Sequence, residues 1–321
     1  MRNSLAFVLV TALAGCSSSQ GTVNEQPDAP SGGDAGPPPP SFQIVSPPVD
    51  LKPGDDLTYC YYFHTPNTSD LEIKKWASHM TAGSHDLIVY LTQTDLQTPG
   101  VLSTAMCGLV SNGPGSVWIY SAQSADYEAP LPSDDGNGVP VGQPIKADQS
   151  GFLQMHFMNT TSAVLHAHVE LDAYAYADGV QVTQAAPFFT LSTKINLLPA
   201  APAPTMGMVN GNCDVASDAK FFLMTTYTHK QGVHTFVKDG ATTVFDSTSW
   251  ELPGAQRWST TPFFSFASGS LTYQCEYVNP NSYQIGYGDS VTKEEMCMAM
   301  GYYFPAMDAT GHMCVDSYML Y

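Results

Sequence analysis

The chain has 321 residues, of which 43% are hydrophobic and 12% are charged. This length and apolar content are sufficient for one large domain or two ordinary domains with buried cores. The formal net charge is −18, and the chain contains only 11 lysines and arginines. Because so acidic a protein lacks the cationic surface that binds a phosphate backbone, nucleic acid is not an expected partner.

The first 16 residues predict a targeting segment. Arg2 supplies a positive charge, and the apolar run that follows, Leu5 to Ala12, is too short to span a bilayer. The small residues of Leu13-Ala-Gly then precede Cys16 and resemble the lipobox of bacterial lipoproteins. The resemblance implies lipidation of Cys16 and a place in the bacterial cell envelope, and Ser17 favours the outer membrane.

Residues 17–41 predict a disordered linker. This stretch is rich in serine, glycine, proline and acidic residues, and residues 17–40 contain no aromatic side chain. Such a composition buries too little apolar surface to order itself. No other stretch of the sequence is long and apolar enough to predict a membrane span. We therefore expect attachment to the membrane through the lipid alone.

From Phe42 onward the pattern predicts an all-β body. Short runs of β-branched and aromatic residues are separated by turn residues, and this regular spacing favours a sandwich. The clearest runs are Leu57–Phe63, Asp86–Thr92, Phe152–Phe157, Val164–Leu171, Phe221–His229 and Val233–Lys238. The proline- and alanine-rich segment from Leu197 to Pro204 is the best internal boundary.

The chain contains seven cysteines. With Cys16 assigned to the lipid, the other six suggest three disulfides in an exported body, although spacing alone does not choose the pairing. No C-x-x-C pair is present, so a structural zinc site is not expected. The six are Cys60, Cys107, Cys213, Cys275, Cys297 and Cys314.

The motifs of several enzyme classes are missing from the sequence. The body has no G-x-S-x-G elbow, phosphate loop, H-E-x-x-H motif or dinucleotide fingerprint. The chain instead has nine histidines and 14 methionines. Imidazole combined with a soft sulfur donor favours copper among the metals. His166 and His168 share one face of a predicted strand, but we expect a structural role for them.

Five segments of the body form recognisable motifs, namely Gly83–Tyr90, Gly151–Phe157, Thr226–Gly232, Glu294–Cys297 and Tyr302–Pro305. Together they resemble the copper type II, ascorbate-dependent monooxygenases, the peptidylglycine α-hydroxylating and dopamine β-monooxygenase family. Glu294-Glu-Met-Cys297 and the downstream Tyr302–Pro305 are similar to that family's E-M-C segment and Tyr-Tyr run. Gly151–Phe157 resembles its L-Q-V-H-Y strand, and Thr226–Gly232 resembles its H-T-H-x-x-G strand. Gly83–Tyr90 resembles its H-H-M strand.

The resemblance implies two copper ions. His85 and His156 fall on ligands of the first, electron-transferring copper, while His229 and Met296 fall on ligands of the catalytic copper. One histidine is missing from each site, because Ser84 and Tyr227 stand where the family has imidazoles.

Three residues are weaker ligand candidates that compensate for the missing histidines. His79 lies a few residues before the first-site strand and is the predicted replacement there. Tyr227 still shares a strand face with His229, although a phenol binds copper(I) less well than an imidazole. His234 falls on the opposite face of a regular strand.

The resemblance also implies a pairing of the cysteines and a fold. The fold is two tandem antiparallel β-sandwich, jelly-roll-like domains, residues 42–194 and residues 195–321, with the copper ligands facing a cleft between them. The implied disulfides are Cys60–Cys107, Cys213–Cys314 and Cys275–Cys297.

The implied function is hydroxylation of an activated C–H bond in a small-molecule or peptide substrate. O2 and a one-electron donor such as ascorbate would be consumed, and His229, Met296 and Tyr227 would form the catalytic group. Two alternatives stay open because each site has lost a histidine. One is a copper-binding lipoprotein without turnover, and the other is a metal-free sandwich that binds a partner or a glycan.

Overall fold

The computed structural model describes residues 38–105, 107, 116–306 and 311–320. The predicted signal peptide, the lipobox Cys16 and residues 17–37 of the predicted linker lie outside these described residues. Pro39–Tyr321 forms one compact unit. All regular elements of the described residues are strands, which confirms the all-β prediction. No helix in this part of the chain is long and apolar enough to cross a membrane.

The first half of the body forms two main sheets. Sheet I has the order β1-β12-β4-β9-β13, with β8 also paired to β4, and sheet II has the order β6-β3-β10-β5-β7. Strands β2 and β11 form a separate pair. The strands are β1 (Phe42–Val45), β2 (Val49–Leu51), β3 (Asp56–His64), β4 (Leu71–Met80), β5 (Ser84–Thr92), β6 (Leu102–Ser103), β7 (Ser116–Ala122), β8 (Asp126–Pro130), β9 (Val141–Ile145), β10 (Ser150–Met158), β11 (Leu165–Ala167), β12 (Val169–Ala175) and β13 (Thr183–Gln184).

The second half forms two further main sheets. The strands are β14 (Ala186–Leu191), β15 (Asn196–Leu197), β16 (Thr205–Asp214), β17 (Lys220–Thr228), β18 (Gly232–Asp239), β19 (Thr242–Ser247), β20 (Gln256–Arg257), β21 (Ser270–Asn279), β22 (Ile285–Gly286), β23 (Cys297–Phe304), β24 (His312–Val315) and β25 (Tyr318–Met319). Sheet III has the order β20-β17-β23-β14-β24-β25, sheet IV has the order β16-β21-β18-β19, and β15 pairs with β22.

Strand β14 bears on the predicted domain boundary. It precedes residue 194 in the chain, yet it pairs with β23 and β24 of the second half. Along the chain, the change from the sheets of the first half to those of the second half therefore falls between β13 and β14. The division into two domains stays a prediction.

Three hydrophobic clusters set the order of the layers. Trp76 of sheet I packs with Leu153 of sheet II in the first cluster. Phe152 of sheet II packs with Phe189 of sheet III in another. Phe221 of sheet III and residues of sheet IV form the remaining one. The sheets therefore stack in the order I, II, III, IV, and sheet II is covered on both faces.

This stacking explains why sheet II buries polar side chains. A strand with one solvated face alternates, as β21 does along its whole length. Strand β10 is instead buried from Gly151 to Phe157, because Leu153 faces sheet I and Phe152 faces sheet III. Residues two apart share a face, so His156 lies on the side of Phe152, toward sheet III.

The three disulfides have the pairing implied by the family resemblance. Cys60 bonds to Cys107, Cys213 to Cys314, and Cys275 to Cys297. The last of these joins β21 of sheet IV to the first residue of β23 in sheet III. It therefore fixes the chain directly after Met296.

Candidate metal centre

His85, Asp86 and His156 form the first cluster of metal-ligand side chains. His156 on β10 lies directly opposite Asp86 on β5. The register then shifts, so that Phe157 pairs with Ser84 and His85 has no opposite residue. A bulge of this kind redirects a side chain. The His85 ring consequently lies with its centroid 5.1 Å from that of His156.

Two carboxylates hold the His156 ring in this cluster. Its Nε2 lies 2.7 Å from Oδ1 of Asp56, and its Nδ1 lies 3.4 Å from Oδ2 of Asp86. Burial alone lowers the pKa of His156, but the hydrogen bonds to Asp56 and Asp86 outweigh burial and raise the pKa to about 9. Burial alone raises the pKa of Asp86, and hydrogen bonds from both histidines bring it below its ordinary value.

Tyr227, His229 and Met296 form the second cluster. Tyr227 lies near the end of β17, and the turn after this strand carries His229, whose ring centroid is 5.4 Å from that of Tyr227. A side chain at Gly232 would clash with Thr228, so this turn requires glycine. Met296 directly precedes β23, and the Tyr277 hydroxyl donates to its carbonyl oxygen at 2.8 Å.

The buried Glu295 carboxylate fixes the turn that carries His229. Its Oε2 accepts the N–H of His229 at 2.9 Å, and its Oε1 accepts the N–H of Gln231 at 2.6 Å. Burial raises the pKa of Glu295 to about 8, although these backbone donors oppose the change. Because the two hydrogen bonds join the turn to the residue before Met296, they place both predicted ligands together.

His229 has the protonation state and orientation of a metal ligand. Burial lowers the pKa of its imidazole to about 4, so the ring is neutral at physiological pH. Nδ1 lies 3.0 Å from the carbonyl oxygen of Glu294 and donates to it. Nε2 therefore carries the lone pair that a metal ligand needs.

The two clusters meet at one small cavity between sheets II and III. The cavity has a volume of about 20 Å³, and His156, Tyr227, His229 and Met296 all line it. Asp86 also lines it, from the first cluster. Of the four main ligands predicted from the sequence, three line this cavity, namely His156, His229 and Met296. The fourth, His85, contacts the ring of His156.

A larger apolar cavity of about 310 Å³ adjoins this small one. Four residues line both cavities, namely Asp86, Ile88, Trp118 and Tyr227. The larger cavity also exposes two polar groups. The Arg257 guanidinium donates to the Tyr127 hydroxyl, and the buried Nε2 of Gln123 has no hydrogen-bond partner among the described residues. A largely apolar molecule fits this space better than a charged one.

The weaker predicted ligands lie elsewhere. His79 is on the outer face of sheet I, where its side chain is 54% exposed and its Nδ1 lies 2.7 Å from Asp126. It alternates with the inward-facing Ser78 and Met80. The prediction that His79 supplies the missing ligand of the first site is therefore wrong. His234 lies on the outer face of sheet IV and pairs with Asp246 at 2.7 Å. It contributes to neither cluster.

Sequence reasoning did not find Asp56, Asp86 or Trp250. Asp86 carries the strongest signal, since it is a lone charge within the apolar run Asp86–Thr92 and directly follows His85. Trp250 comes from the second half of the chain and stacks on His85, with ring centroids 5.5 Å apart. Asp56 and Trp250 gave no local signal, because only the folded chain brings them to the histidines.

The ion pairs of His156 predict a pH dependence of the metal-free protein. Its folded pKa of about 9 lies above the unfolded value of about 6.5, so the extra stability is complete below pH 6.5 and lost as the pH rises through 9. The loss corresponds to roughly 3 kcal/mol. Urea unfolding at several pH values is expected to show this loss in the wild type but not in His156→Gln. Equal pH profiles would contradict the assigned ion pairs.

Comparison with protein-family models gives no match, and comparison with curated proteins gives none. Among solved structures, the chain is similar to the PBSX exported protein XepA, at 9% identity over 82% of this chain and 86% of that chain, with a TM-score of 0.21. It is also similar to a structure of infectious bursal disease virus, Gx strain, at 11% identity over 84% and 73% of the two chains, with a TM-score of 0.17. TM-scores this low carry no argument about function.

Proposed function

We propose that the protein is a copper-dependent monooxygenase that hydroxylates an activated C–H bond, with O2 and a one-electron donor such as ascorbate as co-substrates. The observation that carries the proposal is the convergence of His229, Met296 and Tyr227 on one buried cavity. Their segments are the ones that resemble the family, and the three disulfides agree with the same resemblance.

The donor atoms of the second cluster suit copper. The neutral His229 supplies Nε2, and the Met296 thioether is a soft ligand that favours copper(I). Burial raises the pKa of the Tyr227 phenol well above its ordinary value, so this group stays protonated and is at most a weak third donor. Bound copper would supply the one-electron chemistry that activates oxygen, which the side chains lack. The first cluster would hold the second ion, through His85 and His156.

The protein residues contribute position and exclusion of water. Glu295 and the Cys275–Cys297 disulfide hold the two ligand segments, and the 310 Å³ cavity provides a largely apolar space beside them. An apolar substrate in that cavity would lie against Tyr227 and Trp118, which also line the small cavity. The Gln123 amide would donate a hydrogen bond to a polar group of the substrate. The proposed substrate is accordingly a small molecule or peptide side chain with a largely apolar body.

Oxygen uptake tests this proposal. Copper-loaded protein, freed of unbound metal, is expected to consume O2 with ascorbate and to do so faster when an apolar substrate is added. Met296→Leu preserves the side-chain volume while removing the sulfur, and is expected to lose this uptake. Copper binding without substrate-stimulated uptake would favour the non-catalytic copper-binding protein. No binding at all would favour a metal-free binding protein.

We also propose that the protein is anchored in the bacterial cell envelope through Cys16, with the outer membrane as its expected site. Three disulfides suit an oxidising compartment outside the cytoplasm, which supports export. Labelling with a radioactive fatty acid is expected to mark the wild type but not Cys16→Ser. Equal labelling of the two proteins would contradict the anchor.

A further inference from the structure

The first cluster has the spacing of a metal site. Oδ2 of Asp86 lies 3.1 Å from Nδ1 of His85 and 3.4 Å from Nδ1 of His156. One donor atom from each of the three residues lies within 4.8 Å of the others. Ligands about 2.0–2.1 Å from a tetrahedral metal ion are separated from each other by about 3.3 Å. The two distances from the Asp86 oxygen are therefore close to the spacing that an ion requires.

The His156 ring supplies an independent observation. Its side chain is only 4% exposed, and its Nδ1 faces Oδ2 of Asp86 at 3.4 Å, too far for a short hydrogen bond. A buried ring nitrogen that faces a buried carboxylate oxygen at this distance can share an ion with it, since both atoms are metal donors. The opposite ring nitrogen, Nε2, is held at 2.7 Å by Asp56. A carboxylate on the far nitrogen of a histidine is the usual support of a metal ligand.

We propose that His85, Asp86 and His156 bind one divalent transition-metal ion, and that Asp86 is the third ligand. Asp86 takes the place in the donor set that Ser84 leaves open and that His79 does not fill. In identifying this ion with the first copper of the enzyme, the inference rests on the proposed function. The site itself depends only on the donor atoms of these three residues. Asp56 is a positioning residue for His156.

The carboxylate changes which ion this site prefers. Two imidazoles and a carboxylate form a harder donor set than imidazoles with a thioether, so this site favours divalent ions, with copper(II) and zinc(II) ahead of copper(I). The His229 and Met296 site has the opposite preference because of its sulfur. The two clusters beside the small cavity are thus expected to differ in the metal oxidation state that each stabilises. The Trp250 ring stacks on His85 beside the first site.

Zinc(II) is the probe that separates this site from the second, since it binds nitrogen and oxygen ligands and has no redox chemistry. Metal-free protein is titrated with zinc(II) in competition with a chromophoric chelator. The wild type and Met296→Leu are each expected to bind one tight equivalent. Asp86→Asn is expected to weaken that binding by at least about 100-fold, and Asp56→Asn by about 10–100-fold.

The matched control is Asp126→Asn, which removes the carboxylate beside the exposed His79 and is expected to bind zinc as the wild type does. If Asp86→Asn does not fold, His85→Gln at the more exposed ligand is expected to give the same loss. Wild-type binding in either variant, or no tight equivalent in the wild type, would overturn the proposal. Tight zinc binding without any oxygen uptake would keep this site and reject the monooxygenase.

Discussion

Replacing His229 with asparagine is expected to lower the affinity for copper(I) at the second cluster by at least about 100-fold, more than loss of a supporting residue costs. Nε2 of His229 is the proposed nitrogen donor of this cluster, while Nδ1 already donates to the Glu294 carbonyl oxygen. Asparagine still offers an N–H to that carbonyl, so the turn retains its support. Competition with a copper(I) chelator measures the affinity, and oxygen uptake is expected to fall in parallel.

The control for this prediction is His234→Asn. His234 is also a histidine of the second half, but it pairs with Asp246 and Glu276 on the outer face of sheet IV. Its replacement is expected to leave both copper affinity and oxygen uptake unchanged. If the two variants behave alike, His229 has no special role and the second cluster is not the copper site.

Removal of the Cys275–Cys297 disulfide is expected to damage stability and the site together. The bond closes a loop of 22 residues, and its loss in the Cys275→Ala/Cys297→Ala variant corresponds to about 3 kcal/mol of unfolding free energy. Because Cys297 begins β23 directly after Met296, the thioether also loses its anchor. Urea unfolding and a copper(I) titration measure the two effects.

The Cys213–Cys314 disulfide provides the comparison. Its residues are 101 positions apart, so its removal is expected to cost more stability, about 4.7 kcal/mol by the same reasoning. Neither cysteine adjoins a predicted ligand, and copper affinity is expected to persist at temperatures where this variant is folded. Equal copper affinity in both disulfide variants would contradict the link between the Cys275–Cys297 bond and Met296.

The all-β class could be predicted because most strands carry their own signal. Runs such as Asp86–Thr92 are rich in β-branched and aromatic residues, and turn residues separate them. The stacking of four sheets had no local signal, since it depends on which faces of sheet II are covered. The transfer of β14 to the second half also escaped prediction, because strand pairing is a long-range property.

The candidate ligands that lie in sequence motifs could be predicted. Those whose placement depends on the register of the strands were missed. His156, His229 and Met296 lie in segments with a recognisable pattern, and they line one cavity. His79 was expected at the first site from its nearness in sequence to His85. It lies near the end of β4, which belongs to sheet I. Because side chains alternate along this strand, His79 points outward. His85 and Asp86 are adjacent and would point to opposite faces of a regular strand. Both can enter one cluster only because of the bulge at His85.

Copper stoichiometry of the purified protein, measured anaerobically with ascorbate present, tests the central claim most directly. Wild-type protein is expected to retain two copper ions per chain, with copper(I) held more tightly at the second cluster than at the first. Met296→Leu is expected to retain one, because leucine keeps the volume of the side chain but offers no sulfur. Two ions in both proteins, or none in the wild type, would contradict a copper centre built on Met296 and His229.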